Sequence, residues 1–80
     1  VPRYHFHLHE DGVVVDDEEG LALADDASAR DAAVRAARDV LAGAVLDGRL
    51  PLDDFIMVTD HAGRTILTLT LGAAVSKPGR

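Results

Sequence analysis

Apolar and polar residues alternate from Arg3 to His9, with Tyr4, Phe6 and Leu8 on one side and Arg3, His5, His7 and His9 on the other. Successive side chains of an extended strand point to opposite faces, so this pattern predicts a half-buried strand. Glu10-Asp11-Gly12 is a turn signal and Val13-Val14-Val15 a β-branched run, which together predict a hairpin. Asp17-Glu18-Glu19-Gly20 breaks the pattern before Leu21-Ala22-Leu23, a segment that either extends the second strand past a bulge or forms a short third one.

Asp25 or Asp26 suits a helix N-cap, because a short carboxylate accepts hydrogen bonds from free amides at the positive end of the helix dipole. The helix is predicted to run to about Asp47. Ala29, Ala33, Ala37, Val40, Leu41 and Ala44 recur at helical spacing, while Arg30, Asp31, Arg35, Arg38 and Asp39 fall mainly on the other side. Ion pairs are expected between Asp31 and Arg35 and between Arg35 and Asp39. The stripe of alanines lets the helix sit close to the sheet, with Tyr4 and Phe6 filling the space they leave. Gly48 and Pro51 end the helix. Phe55–Thr59 and Arg64–Leu71 read as a second hairpin closed at Asp60-His61-Ala62-Gly63, with Ile56, Val58, Leu67, Leu69 and Leu71 facing the helix.

The predicted fold is therefore α+β: a four-stranded, mainly antiparallel sheet with one amphipathic helix on one face, in the order ββαββ. Residues 1–71 form the single domain and residues 72–80 a flexible tail with little to bury. The other sheet face is left with Arg3, His5, His7, His9, Met57, Thr59, Thr68 and Thr70, with Ile66 at one end.

The chain has 80 residues, of which 48% are hydrophobic, enough for one core without disulfides or a structural metal. So short a domain buries a small fraction of its surface, and an oligomer interface is a natural cover for the remainder. The formal net charge is -6, and the eight Lys and Arg residues form no patch. Arg30, Arg35 and Arg38 alternate with Asp31 and Asp39, which argues against nucleic-acid binding, since that affinity needs clustered basic side chains. Eight of the fourteen acidic residues lie between Glu10 and Asp26, a density suited to a basic protein partner or a hard cation. No cysteine is present, which removes disulfides, thiol nucleophiles and cysteine-ligated zinc. Neither a long apolar span nor a signal pattern stands out, so a cytoplasmic protein without membrane contact is expected.

The strongest chemical pattern is His5, His7 and His9. Alternate strand residues share a face at roughly 6.6–6.8 Å spacing, which suits convergence of imidazoles on zinc, nickel or copper. Glu10, Asp17 or His61 would complete the ligand set. The competing reading is a polar sheet face or a dimer contact that tolerates histidines. Asp16-Asp17-Glu18-Glu19 lacks the alternating spacing of a calcium loop and reads as a solvated turn. Ser28 and Ser76 have no histidine nearby in sequence, the glycines form no phosphate-binding loop, and the few aromatics make no stacking platform. No catalytic constellation emerges, and a non-enzymatic protein is expected.

Pro2-Arg3-Tyr4-His5-Phe6-His7-Leu8, then Asp17-Glu18-Glu19-Gly20-Leu21-Ala22-Leu23, then an Ala/Arg-rich helix and Val58-Thr59-Asp60 together resemble a family of short bacterial proteins of unknown function. The resemblance covers nearly the whole chain and rests on the order and spacing of these motifs. His5 departs from the pattern, which usually has an aromatic residue there. The family supplies no activity to carry over. A looser similarity, in fold alone, is to the HicB-like antitoxin domain, and it would imply a module that binds a protein partner. The leading expectation is a self-associating interaction module, a homodimer or higher homo-oligomer, that uses the open sheet face with Arg3, His5, His7, Met57, Ile66 and Thr68, or an edge strand. Metal binding by His5, His7 and His9 and antitoxin-like partner binding are the alternatives.

Overall fold

Asp11 and Gly12 take positive φ angles of 51° and 79°, the twist that joins two strands through a two-residue turn. They connect strand β1, Arg3–Glu10, to strand β2, Val13–Val15, in a computed structural model that describes residues 1–75. After β2 the chain bulges away over Asp16–Gly20 and returns to β1 as strand β3, Leu21–Ala22, setting Arg3 opposite Ala22 and Tyr4 opposite Leu21. Strands β4, Phe55–Thr59, and β5, Thr65–Thr70, complete an antiparallel sheet in the order β2-β1-β4-β5, with β3 also on β1. The sheet thus has five strands where four were expected. The physical reason is that the acidic insertion interrupts one long edge strand and leaves its far end to pair separately.

Helix α1, Asp26–Leu46, packs on one face of the sheet. Asp25 caps it by accepting the Ser28 amide at 2.8 Å, and this cap holds the Asp25 carboxyl below its ordinary value. At the other end Gly48 adopts φ +85°, and the amides of Gly48 and Arg49 reach the Val45 and Ala44 carbonyls at 2.9 and 2.8 Å. The buried stripe is Ala29, Ala33, Ala37, Leu41 and Ala44, as the periodicity implied. Opposite it sit Tyr4, Ile56 and Val58, with Phe6 and Leu8 packed around them. Tyr4 donates to Asp26 at 2.7 Å, which ties β1 to the first turn of α1. That bond, burial and the neighbouring carboxylates push the phenol up to about 12.

Three details depart from the sequence expectations. The β4–β5 register shifts at Val58/Thr59, where Val58 faces Leu67 and Thr59 faces Thr65. Ile66 is the extra residue of that bulge, and it packs against the core cluster rather than ending the open face. Among the described residues the arginine ion pair is Arg64–Asp60, so the expected helix pairs of Arg35 with Asp31 and Asp39 are not formed. Exposed pairs of this kind gain little against the entropy of two long side chains.

The third departure is the C-terminal segment. Leu71–Val75 form a short helix, α2, where a tail was expected from Gly72. Thr70 caps it through the Ala73 amide, the Leu71 amide bonds the Asp54 carbonyl, and Arg38 Nε donates to the Ala74 carbonyl. Leu71 is fully buried and Ala74 nearly so. The rest of the expected tail, residues 76–80, lies outside the described residues.

Leu71→Ala tests whether α2 belongs to the core. Removing a fully buried leucine is expected to cost about 2–4 kcal/mol in urea unfolding. A loss below about 0.5 kcal/mol, the range of ordinary surface substitutions, would mean that α2 is not packed as described.

Candidate functional site

The chemistry-bearing residues gather where the Asp16–Gly20 loop meets β1. Because β2 and β3 pair with the ends of β1, the Phe6 amide between them has no strand partner. Asp17 supplies one: its Oδ2 accepts the Phe6 amide at 3.0 Å and its Oδ1 accepts the Gly20 amide at 3.0 Å. Burial raises the Asp17 pKa, but the two amides outweigh it, with help from the nearby His5 and His7 rings, and the carboxyl lies below its ordinary value. Gly20 is required twice over. Its φ is +71°, and a Cβ there would lie 2.7 Å from the Tyr4 carbonyl oxygen and 2.9 Å from the His5 ring.

The same loop reaches the histidine face. His5 Nδ1 donates to the Asp17 carbonyl at 2.8 Å. The Asp17 amide donates to His7 Nδ1 at 3.2 Å, and His7 Nε2 then donates to Thr59 Oγ1 at 3.1 Å. An amide can only donate and a carbonyl can only accept, so these partners assign opposite tautomers to the two rings. Asp16 Oδ1 also lies 3.3 Å from His7 Nδ1. Arg3 Nη1 donates to the Glu19 carbonyl at 2.8 Å.

The histidines predicted to share a metal do share a face. His5 and His7 are nearly parallel, with ring centroids 6.2 Å apart, and His9 instead stacks on Phe55 at 4.3 Å. Convergence on one ion would require nitrogens within about 2.0–2.1 Å of it. Among the described residues no group of three His, Asp or Glu side chains is arranged to hold a metal. Asp17, named as a possible further ligand, spends its carboxylate on backbone amides.

Of the predicted interface residues, Arg3, His5 and His7 are bonded within the chain, Ile66 packs against the core, Met57 is half-buried on the open face and Thr68 is exposed. Asp60 is the second carboxylate that serves the backbone. It is buried, and it accepts the Ala62 and Arg64 amides and Arg64 Nε, each at 2.9 Å. The Arg64 amide holds its carboxyl below the ordinary value against the opposing effect of burial, and the Arg64 side chain and the Ala62 amide add to it. Neither role was among the sequence expectations. The signal was present in each case: an aspartate at the end of a strand with a glycine three residues on is the pattern of a side chain that caps a turn.

Residues 3–72 match the model of the family described as Domain of unknown function (DUF6894), and the chain belongs to that family. No curated protein and no solved structure matches the chain. The likeness to HicB-like domains gains no support from these comparisons. Among the described residues no helix is long and apolar enough to cross a membrane.

Two substitutions test the loop clamp. Gly20→Ala is expected to cost about 2 kcal/mol or more in urea unfolding, from a strained backbone and a close approach to Tyr4; a change within about 0.5 kcal/mol would contradict it. Asp17→Asn tests the charge. Because the folded carboxyl titrates below 3.8, its contribution is complete above that pH and is lost as the pH falls through the lower folded value. Stability of the unsubstituted chain should therefore fall more steeply below pH 3.8 than that of Asp17→Asn. The Asp25 and Asp60 effects are common to both proteins, so parallel curves would remove Asp17 from this role.

Proposed function

We propose that this member of a family of unknown function is a non-enzymatic interaction module that associates with a second copy of itself. The observation that carries the reading is how much apolar surface the fold leaves uncovered. Leu46 is 87% exposed, and Val13, Val15, Val45 and Val75 are each about half exposed, in a domain whose outer strands have unpaired edges among the described residues. Exposed apolar side chains beside an unpaired strand edge favour association. The carboxylates that would otherwise suggest acid–base chemistry, Asp17 and Asp60, are committed to backbone amides, which supports a non-enzymatic role.

Metal binding is the competing proposal, and it requires the loop to release Nδ1 of both His5 and His7 or the ion to use the remaining nitrogens. Calorimetry with zinc, nickel and copper on untagged protein decides between the two. A stoichiometric heat that vanishes in His5→Ala with His7→Ala favours the metal.

Sedimentation equilibrium of the untagged chain tests self-association directly. A mass of about twice 8.5 kDa that falls on dilution is the expected result. Monomer alone, up to high micromolar concentration, overturns it.

A further inference from the structure

Self-association has three surfaces to choose from, and charge separates them. On the histidine face Arg3, His5 and His7 already bond the Asp16–Gly20 loop. The β2 edge exposes Val13, Val14 and Val15, but it is short and flanked by Asp11, Asp16, Asp17, Glu18 and Glu19. A two-fold contact sets each segment against its own copy, so acidic flanks would meet acidic flanks in a chain of net charge -6.

The third surface is the side formed by β5 and α2. Thr65–Val75 contains no charged residue, and among the described residues no strand pairs with the outer edge of β5. That edge also lacks the lysine, proline or inward charge that commonly protects a strand edge. On the same side Leu41, Ala42, Val45, Leu46 and Val75, with Arg38, line a largely apolar groove of about 450 Å³. The groove on the opposite flank of α1 is lined by Leu21 and Leu23 of the β3 side and by Asp31, Arg35 and Asp39. The flank of the helix that carries Asp31, Arg35 and Asp39 therefore faces β3, and the flank over α2 carries one charged lining residue, Arg38, whose Nε is bonded to the Ala74 carbonyl of the same chain.

Building on the self-association reading, we infer that the second copy docks on the β5 and α2 side. β5 pairs antiparallel with β5 of the other copy about a two-fold axis perpendicular to the sheet. This symmetry keeps both helix layers on one face, so the Val45, Leu46 and Val75 patches meet above the new strand pair. Main-chain hydrogen bonds give the register, and the patch supplies the apolar burial that a bare edge lacks. A standard interface takes roughly 800 Å² from each partner. That is about 15% of the 5258 Å² of accessible surface, which makes burial of strand edge and helix patch together the natural contact.

The test is Leu46→Asp with Val75→Asp, both exposed positions whose change leaves the core intact, with Met57→Gln on the open face as control. Like charges set against each other across the two-fold are expected to weaken the dimer by about 100-fold or more. Circular dichroism should be unchanged, and hydrogen exchange should quicken across Thr65–Thr70 while Met57→Gln leaves the dimer as it was. A wild-type chain that is monomeric overturns the self-association reading itself. A wild-type dimer that survives the double substitution, or that is lost only in Met57→Gln, keeps that reading and overturns this surface.

Discussion

The Asp17 carboxylate stands where a neighbouring strand would be, and the shape of the β1 edge follows from it. A strand that pairs at both ends but not in the middle leaves a backbone donor without a partner, and a buried unpaired amide costs as much as a lost hydrogen bond. Asp17 removes that cost by accepting the Phe6 amide and, with its other oxygen, turns the chain by accepting the Gly20 amide. Gly20 then passes close enough to the Tyr4 carbonyl that no side chain fits, and β3 resumes the pairing that β2 left. The sheet acquires its fifth strand from this one substitution of a side chain for a backbone.

The clamp also decides what the histidine face is available for. The loop held by Asp17 places its own backbone against His5 and His7, so the residues with the most evident chemistry are turned inward to hold the chain. Asp60 repeats the device at the second hairpin, where it organises Ala62 and Arg64. An aspartate and a glycine in each of the two hairpin regions are thus accounted for by structure. The surface along β5 and α2, by contrast, carries no charged residue from Thr65 to Val75.

The helix and the strand faces were legible in the sequence because each depends on local periodicity. Alanines at helical spacing and the Tyr4, Phe6, Leu8 alternation correspond directly to the buried stripe and its opposing strand. The shared face of His5, His7 and His9 was legible for the same reason. The partners of those histidines were not, because Asp17 meets His5 and His7 only after the loop has folded back over β1, a long-range event that no spacing encodes. The same limit applies to Ile66, whose direction depends on a bulge opposite Val58, and to Gly72–Val75. That segment is short and small in composition, and Leu71 and Ala74 find cover only because the chain has already brought α1 and the 51–54 segment beside it.

The most direct test of the clamp is a nuclear magnetic resonance titration of the Phe6 and Gly20 amides in the intact protein. Both hydrogen bonds end on one carboxylate, so the account predicts that the two amides shift together with a single midpoint below 3.8. Amides that do not respond, or that respond with separate midpoints, would contradict a shared Asp17 acceptor and with it the explanation of the loop, the fifth strand and the occupied histidine face.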